Sequence, residues 1–450
     1  MSVEPMIGRA SLALEAARRA GAQQAAASVS DVRFVKATFR DGQLEQAKAA
    51  GKMSLGVRLY VDGRYGAHAT SDLRDEALRA FVEGAVAMTR LLEPDPLRAL
   101  PPKELTPTAP GPDLRLHDPA VAQAPTDFWL ALARRMDELA LERAQRGGVK
   151  LISRQGLAHG ESGLELLATS DGFMGVQEET SCYHGCTVAL LDDQRGGARQ
   201  LASWHHLGRA LDQMTDRARQ EQVAAQAVER ARRQLGGRPG PTGRGRLLVE
   251  NSVAGRLVGE ILGCLAGAAL DQKQSYLADR LGQSLASPLL NMRDEPLEPG
   301  GLASRWFDGE GLAAQPRQVI EGGALRAYFL DTYYAKRLGL APTAGSSTNL
   351  KFAPSRAGGF EQMLEDMPSG LAVTGFLGGN FNGTTGDFSF GVRGLWIENG
   401  RVAHPVEGMN IAGNYDDLWR SLAAVGDDPY AYSRLATPSL LFDEAMIAGA

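Results

Sequence analysis

Histidine, cysteine and carboxylate spacing is where hydrolytic or metal chemistry would show first. The histidines are His68, His117, His159, His184, His205, His206 and His404. A helix-borne zinc site needs two of them one turn apart, with a glutamate beside the first as general base. None is followed by Glu, and none has a second histidine three to five residues away. The tempting cluster is Cys182-Tyr-His-Gly-Cys186, two thiols and an imidazole that could hold zinc. In a strand, however, positions 182, 184 and 186 share a face at roughly 6–7 Å per step, which is wide for the ligands of one ion. A packed sheet face, with cysteine as a small apolar residue, is the expectation; a metal site and a redox pair are the alternatives. His205 and His206 alternate faces, so at least one is expected at the surface.

Other chemistries leave fewer traces. There is no G-x-x-x-x-G-K-[ST] loop, and Gly243-Arg-Gly245 precedes a strand, the wrong order for a nucleotide fingerprint. No G-x-S-x-G elbow is present for acyl transfer. Glu178-Glu179 and Asp427-Asp428 are adjacent pairs, which point apart and fit a solvated loop. Gly383-Thr-Thr-Gly-Asp387 reads as a hairpin turn. Its neighbourhood, residues 376–389, is the segment best suited to line a peptide path. Gly379 allows close backbone approach, and Asn380, Asn382, Thr384 and Thr385 offer neutral hydrogen bonds.

The elements that must position these residues follow from periodicity. The chain has 450 residues, enough for two or three units, and its 44% hydrophobic and 22% charged content excludes wholesale disorder. The net charge of -5 gives no global field for nucleic acid or an anionic membrane. Three cysteines in so long a chain argue against a secreted disulfide framework. No signal peptide and no run of about 18 apolar residues is visible, so a cytoplasmic location is expected. Residues 7–26 read as an amphipathic helix. Strands follow, turned at Asp41-Gly42 and Asp62-Gly63, and a helix runs to about residue 92. These make an N-terminal α/β domain, 1–92. Residues 93–123 are dense in proline and read as a linker or extended strap. Residues 124–235 hold a helix, an antiparallel sheet with turns at Ser170-Asp171-Gly172 and Arg195-Gly196-Gly197, and a second helix, packed with the first domain. The run GGRPGPTGRG (236–245) marks a boundary. Beyond it, 236–450 forms a β-rich domain. Its one long helix, 252–270, carries a face of Ala254, Gly255, Gly259, Gly263 and Gly267 on which a neighbouring backbone could come close. The fold class is therefore α+β, with an N-terminal antiparallel sheet and flanking helices, and a mainly-β C-terminal domain, closed or strongly curved, with the helix inside or against it.

Several segments carry a resemblance: QSYLADRLGQ (274–283), YFLDTYYAKRLGL (328–340), TGDFSFGVRGLWIENGRVAHPVEGMNIAGN (385–414), AAVGDD (423–428) and PSLLFDEAMIAG (438–449). Together they resemble the TldD/PmbA family, also called modulator of DNA gyrase. The likeness is dense from about residue 246 onward and looser before, where ATSDGFMGVQEETSCY (168–183) matches in style. The resemblance implies two arms. TldD-type chains carry H-E-x-x-x-H on a helix plus a distal cysteine, a zinc protease site. PmbA-type chains, also called TldE, lack it, and the two pair as a heterodimer that trims peptide or unfolded substrates. Aligned on Gln272-Lys273, the motif position here reads Gly259-Glu260-Ile261-Leu262-Gly263-Cys264. Gly259 and Cys264 stand where the family has histidines, Glu260 remains, and no cysteine lies beyond Cys264. One thiol and one carboxylate a turn apart do not close a three-ligand site.

The resemblance thus points to a non-catalytic subunit of a heterodimeric zinc metallopeptidase. Its expected partners are a TldD-type subunit, which would hold the zinc, and a peptide or unfolded-protein substrate. A dimer, either of this chain in isolation or with a partner, is also expected, since the run GFLGGNFNG (375–383) is poorly suited to lone exposure. The alternatives are a metallopeptidase in its own right and a non-enzymatic regulatory binding protein. Purified alone, the chain is expected to hold no stoichiometric zinc and to leave peptides uncut. Elemental analysis near one zinc per chain, with chelator-sensitive cleavage, would reverse that expectation.

Overall fold

Long alternating segments dominate the first half of the chain. The computed structural model, which describes residues 2–108 and 111–449, turns them into one sheet. Helix α1 (Glu4–Arg19) stops where Gly21 takes a φ of 98°, so residues 24–26, expected as helix, instead begin β1 (Gln24–Arg40). β2 (Gln43–Val61) and β3 (Arg64–Thr70) follow through two-residue turns. Asp41-Gly42 and Asp62-Gly63 all have positive φ, the mirror-image turn that matches strand twist. α2 (Asp75–Thr89), α3 (Pro119–Gln123) and α4 (Thr126–Arg146) lead to β4 (Leu151–Thr169), β5 (Met174–Asp192) and β6 (Ala198–Gly208). The strand order is β3-β2-β1-β4-β5-β6, antiparallel throughout. The β1–β4 register runs from Ala26↔Thr169 to Arg40↔Gln155, so the segments before and after the proline-rich strap share one sheet. The strap is pinned by buried Leu100, Leu114 and Leu116, while Ala109 and Pro110 within it lie outside the described residues.

All the long helices of this half cover the same face. α1 and α2 bury Val29, Leu55, Val57 and Leu166. α4, and α6 (Arg217–Arg232) after the short α5 (Asp212–Thr215), bury Cys186, Val188 and Leu190. Glycine sets how closely α4 sits. A Cβ on Gly156 would stand 2.2 Å from the Ala133 carbonyl oxygen, and one on Gly160 would stand 2.1 Å from the Trp129 ring.

The second half begins with β7 (Gly243–Val249), then α7 (Asn251–Cys264) and α8 (Gly267–Asp271). The single helix expected over 252–270 is therefore broken. Gly267 turns its N–H to the Phe329 carbonyl, 2.9 Å away, instead of continuing α7. β8 (Met292–Asp294), β9 (Arg317–Glu321), β10 (Ala324–Leu325) and, after α9 (Thr332–Leu338), β11 (Leu350–Phe352) form a small sheet ordered β10-β9-β8-β11. After α10 (Phe360–Glu365) come β12 (Ser369–Phe381), β13 (Asp387–Glu398) and β14 (Arg401–Asn414), then α11 (Tyr415–Arg420), β15 (Leu422–Val425) and β16 (Leu440–Gly449). The order β14-β13-β12-β7-β16, together with β14–β16 pairing, closes a five-stranded barrel that β15 extends. The closed C-terminal sheet expected from the sequence is present. Leu247, Val249, Val373, Phe390, Ile411 and Phe442 share one apolar cluster with Ala254, Leu257, Val258 and Ile261 of α7. The alternate residues Leu248, Ala372, Leu395 and Leu441 pack under α10 on the other face. No helix among the described residues is long and apolar enough to cross a membrane.

Two arginines tie the halves together. Arg209 at the end of β6 donates to the carbonyls of Thr180, Gly301 and Leu302 at 2.9–3.1 Å. Arg230 of α6 forks onto Glu250 at 2.6 and 2.7 Å, reaches the Thr374 carbonyl at 3.1 Å and lies over the Trp204 ring. Because the contact at Gly156 is with helix backbone, which cannot swing aside, Gly156→Ala is expected to destabilise the fold by about 2–3 kcal/mol. Urea unfolding checks this; a midpoint equal to wild type would mean α4 can shift without cost.

Candidate functional site

The degenerate motif lies on α7, whose last turn meets the β12–β13 hairpin. Gly259 and Gly263 are exposed, and a Cβ on either would meet nothing within 4 Å. Within α7 only Gly255 has neighbours, Thr437 Oγ1 at 3.5 Å and Leu435 Cδ1 at 3.6 Å, while Gly267, beyond the break, lies against Tyr334, whose Cβ a Cβ there would meet at 2.5 Å. The close backbone approach anticipated for this face is thus not made at Gly259 or Gly263 by any described residue. Glu260 is held by Arg256 one turn earlier, Oε1 to Nη2 2.9 Å, and the Arg256 guanidinium lies 4.9 Å from the Phe390 ring centre. Cys264 is buried, with its thiol 3.7 Å from the Gly383 carbonyl oxygen. Burial is the main cause that pushes this thiol up to about 11, so it stays protonated at neutral pH.

The turn at residues 382–386 is a hairpin turn, as its sequence indicates. The Asn382 carbonyl accepts from Gly386 N at 2.8 Å, and its Oδ1 accepts from Thr384 N at 3.0 Å. The Thr385 hydroxyl donates to Asp387 at 2.7 Å, and Asn414 Nδ2 donates to the same carboxylate at 2.9 Å. These two bonds hold the Asp387 carboxyl below its ordinary range. Asn382 and Thr385 are therefore spent on the turn. Asn380 and Thr384 stay exposed with side chains unbonded among the described residues. Gly379 has a φ of 124°, and a Cβ there would stand 2.2 Å from the Ser389 carbonyl oxygen. Gly383 lets the turn rest on the chain beyond α8, because a Cβ would come 2.8 Å from the Gln274 carbonyl. The fold thus brings Cys264 and Gly383 into contact.

This arrangement does not fit zinc. One neutral thiol, a carboxylate neutralised by arginine and a glycine stand at the three motif positions. Among the described residues, no three His, Cys, Asp or Glu side chains gather to hold a metal ion.

The other candidates are structural. Cys182, His184 and Cys186 face the helices and are buried, and burial pushes both thiols up to about 12. His184 Nδ1 lies 3.4 Å from Met214 Sδ, and His206 accepts from Arg219 at 3.2 Å. Contrary to expectation, neither His205 nor His206 is exposed. Tyr430 and Tyr432, from the second half, pack on both rings. Glu178 and Glu179 sit within β5, not in a loop, and reach His117 and Arg209 at 3.3 Å. Asp428, also expected in solvent, accepts from Phe360 N, Ser439 N and Ser439 Oγ. A cavity of about 750 Å³ opens between α6 and the barrel, walled by Trp204, Arg230, Glu250, Thr374, Asp428 and Tyr432. Sequence reasoning missed it, since its walls come from five distant segments and no local spacing marks them.

Comparison with known proteins gives the family. Family models described as PmbA/TldA metallopeptidase domain 1, central domain and C-terminal domain match residues 25–89, 119–235 and 242–449. The chain belongs to the PmbA/TldD family. It is 31% identical over 424 residues to Metalloprotease PmbA of Escherichia coli O157:H7, covering 94% of this chain and 91% of that one. It is 29% identical over 447 residues to a PmbA homolog of Haemophilus influenzae, covering 98% and 95%. The crystal structure of a proposed modulator of DNA gyrase from Bacteroides thetaiotaomicron superimposes with a TM-score of 0.93 at 31% identity, covering 99% of each chain. TldE from Thermococcus kodakarensis shares the fold, with a TM-score of 0.83 at 19% identity, over 97% of this chain and 99% of that one. These matches cover all three parts of the PmbA/TldD architecture.

The buried histidines give this family member a pH signature. Burial, the largest cause, holds His206 down to about 4 and His184 down to about 3, against an ordinary 6.5. The unfolded chain therefore takes up these protons first. Their contribution to stability is complete above pH 6.5 and is lost as pH falls toward 4 and then 3. Urea midpoints measured from pH 7.5 to 4 should fall less steeply for a His184→Gln/His206→Gln variant than for wild type. Parallel slopes would show that the two rings titrate normally.

Proposed function

We propose that this chain is the non-catalytic subunit of a PmbA/TldD-type heterodimeric zinc metallopeptidase. It would complete an enclosed cavity and guide extended peptide to a TldD-type partner. The observation that carries the reading is α7: Gly259, the Arg256-paired Glu260 and the buried, protonated Cys264 occupy the motif positions. Zinc in the partner would supply the Lewis acid for peptide hydrolysis. This chain would supply surface.

The β12–β13 hairpin is the segment proposed to face the shared cavity. Its bulges at Val373/Gly375 and Phe376/Gly378 break the ladder, leave Leu377 half exposed and hold Asn380 outward. A broad-specificity trimming enzyme gains affinity from such backbone-rich, neutral surface without demanding a sequence.

A peptidase active by itself is the second reading, favoured by relatives that carry the name Metalloprotease PmbA. Metal analysis and peptide cleavage by the chain alone, by a TldD-type chain alone and by the pair separate the two. Cleavage confined to the pair, with zinc confined to the TldD-type chain, is the expected outcome. Within the pair, Asn380→Trp should lower cleavage about tenfold at unchanged subunit affinity, the scale of a misplaced substrate. Full activity in that variant would remove the hairpin from the substrate path.

A further inference from the structure

The helices cover one face of the six-stranded sheet, and the second half covers only part of the other. At one end Leu100, Trp306 and Phe307 pack against Tyr60, Leu167 and Phe173. At β6, Tyr430 and Tyr432 pack on His205. Between these contacts a row crosses four strands. Lys36 stands directly opposite Lys48 on one side and His159 on the other, and His159 stands opposite Tyr183. Lys52 lies two positions along β2 from Ala50 and four from Lys48, on the same face.

Three features of this row are unusual. The chain has eight lysines, and three of them are here. Among the described residues none of the three has a carboxylate within 4.0 Å, since Glu45 is taken by Arg40 and Glu161 by His159. Like charges directly opposite across strands are unfavourable, yet Lys36 and Lys48 hold that position with only the Phe34 ring, 5.2 Å from Lys48 Nζ, as a partner. The adjoining backbone is also open. β3 pairs with residues 55–61 of β2 alone, so residues 43–54 form a free sheet edge, and residues 43–52 are exposed along their whole length.

We propose that this bare face and edge dock an acidic, extended segment of another polypeptide. Glutamate or aspartate on alternate positions would meet the lysine row, while its backbone pairs with the free edge of β2. The edge is what selects polypeptide, because only another backbone strand satisfies its alternating N–H and C=O groups. The positive row stands against a net charge of -5, so attraction of anions is local to this face. The inference is independent of the peptidase reading, because binding is read on this chain alone and without cleavage.

The test is fluorescence anisotropy with labelled 12-residue peptides of alternating sequence, (Glu-Thr)6, (Gln-Thr)6 and (Lys-Thr)6. The acidic peptide should bind about tenfold tighter than the glutamine peptide in dilute salt, and the gap should close at roughly 0.5 M salt. Lys36→Gln/Lys48→Gln/Lys52→Gln should abolish the preference while circular dichroism stays unchanged. Lys48→Gln alone, a milder change on the exposed edge, should weaken acidic binding and raise the melting temperature by relieving the opposed charges. Equal binding of the acidic and neutral peptides, or an unaltered preference in both variants, would overturn the proposal. So would a twelve-nucleotide thymidine strand binding as tightly as the acidic peptide, since that would mark a general polyanion surface.

Discussion

The second half of the molecule depends on the placement of one strand, β7. It is seven residues long, yet over Arg246–Val249 both its edges are paired, and over Leu247–Val249 both its faces are buried. Leu247 and Val249 point into the barrel cluster, while Leu248 points under α10. Its pairing with β12 is parallel, which forces the chain to cross over before β12 can be reached. α7 leaves β7 directly at Glu250, and Glu250 is the residue that Arg230 grips from the first half. A fork of two charge-assisted bonds fixes direction as well as distance. The position of the degenerate motif is therefore set by a strand, a crossover and one guanidinium.

The first half is organised by a different economy. Its strands run 17–19 residues in four cases, far longer than the usual five or six. Helices shield only one face, and Gly156 and Gly160 let α4 settle close to it. The other face is free to receive the second half through Arg209, Trp306, Phe307, Tyr430 and Tyr432. Residues 43–52, beyond the reach of either cover, keep polar and small side chains apart from Leu44, which suits a strand end exposed on both faces and one edge.

The side chains of α7 do not converge on a common point. Gly259 and Gly263 leave an open, smooth face; Glu260 is neutralised by Arg256; Cys264 packs under the Gly383 carbonyl. A catalytic zinc helix needs side chains that converge on a point outside the helix. Here the polar ones turn along the helix or into the core. The same geometry that excludes a metal leaves a surface on which another chain could lie.

Much was legible in the residues alone. Asp41-Gly42, Asp62-Gly63 and Gly386 specify turns because few other residues tolerate the required φ, and period-two alternation gives the long strands. That Gly259, Glu260 and Cys264 bring no histidine to this helix needed no coordinates. Local signals failed where partners are remote. Tyr432 packs on buried His206 and, with Tyr430, half-covers His205 from more than 200 positions away, and Ser439 and Phe360 bind Asp428, so apparent surface groups were drawn inward. The break of the helix at Gly267 was likewise decided by Phe329, whose carbonyl takes its N–H. Sequence by itself determined the elements and the absence of a histidine pair at helical zinc spacing, because both rest on the conformational limits and chemistry of single residues. Barrel closure, the Cys264–Gly383 contact and the unopposed Lys36–Lys48 pair were decided only by tertiary structure, because each depends on which distant strands lie side by side.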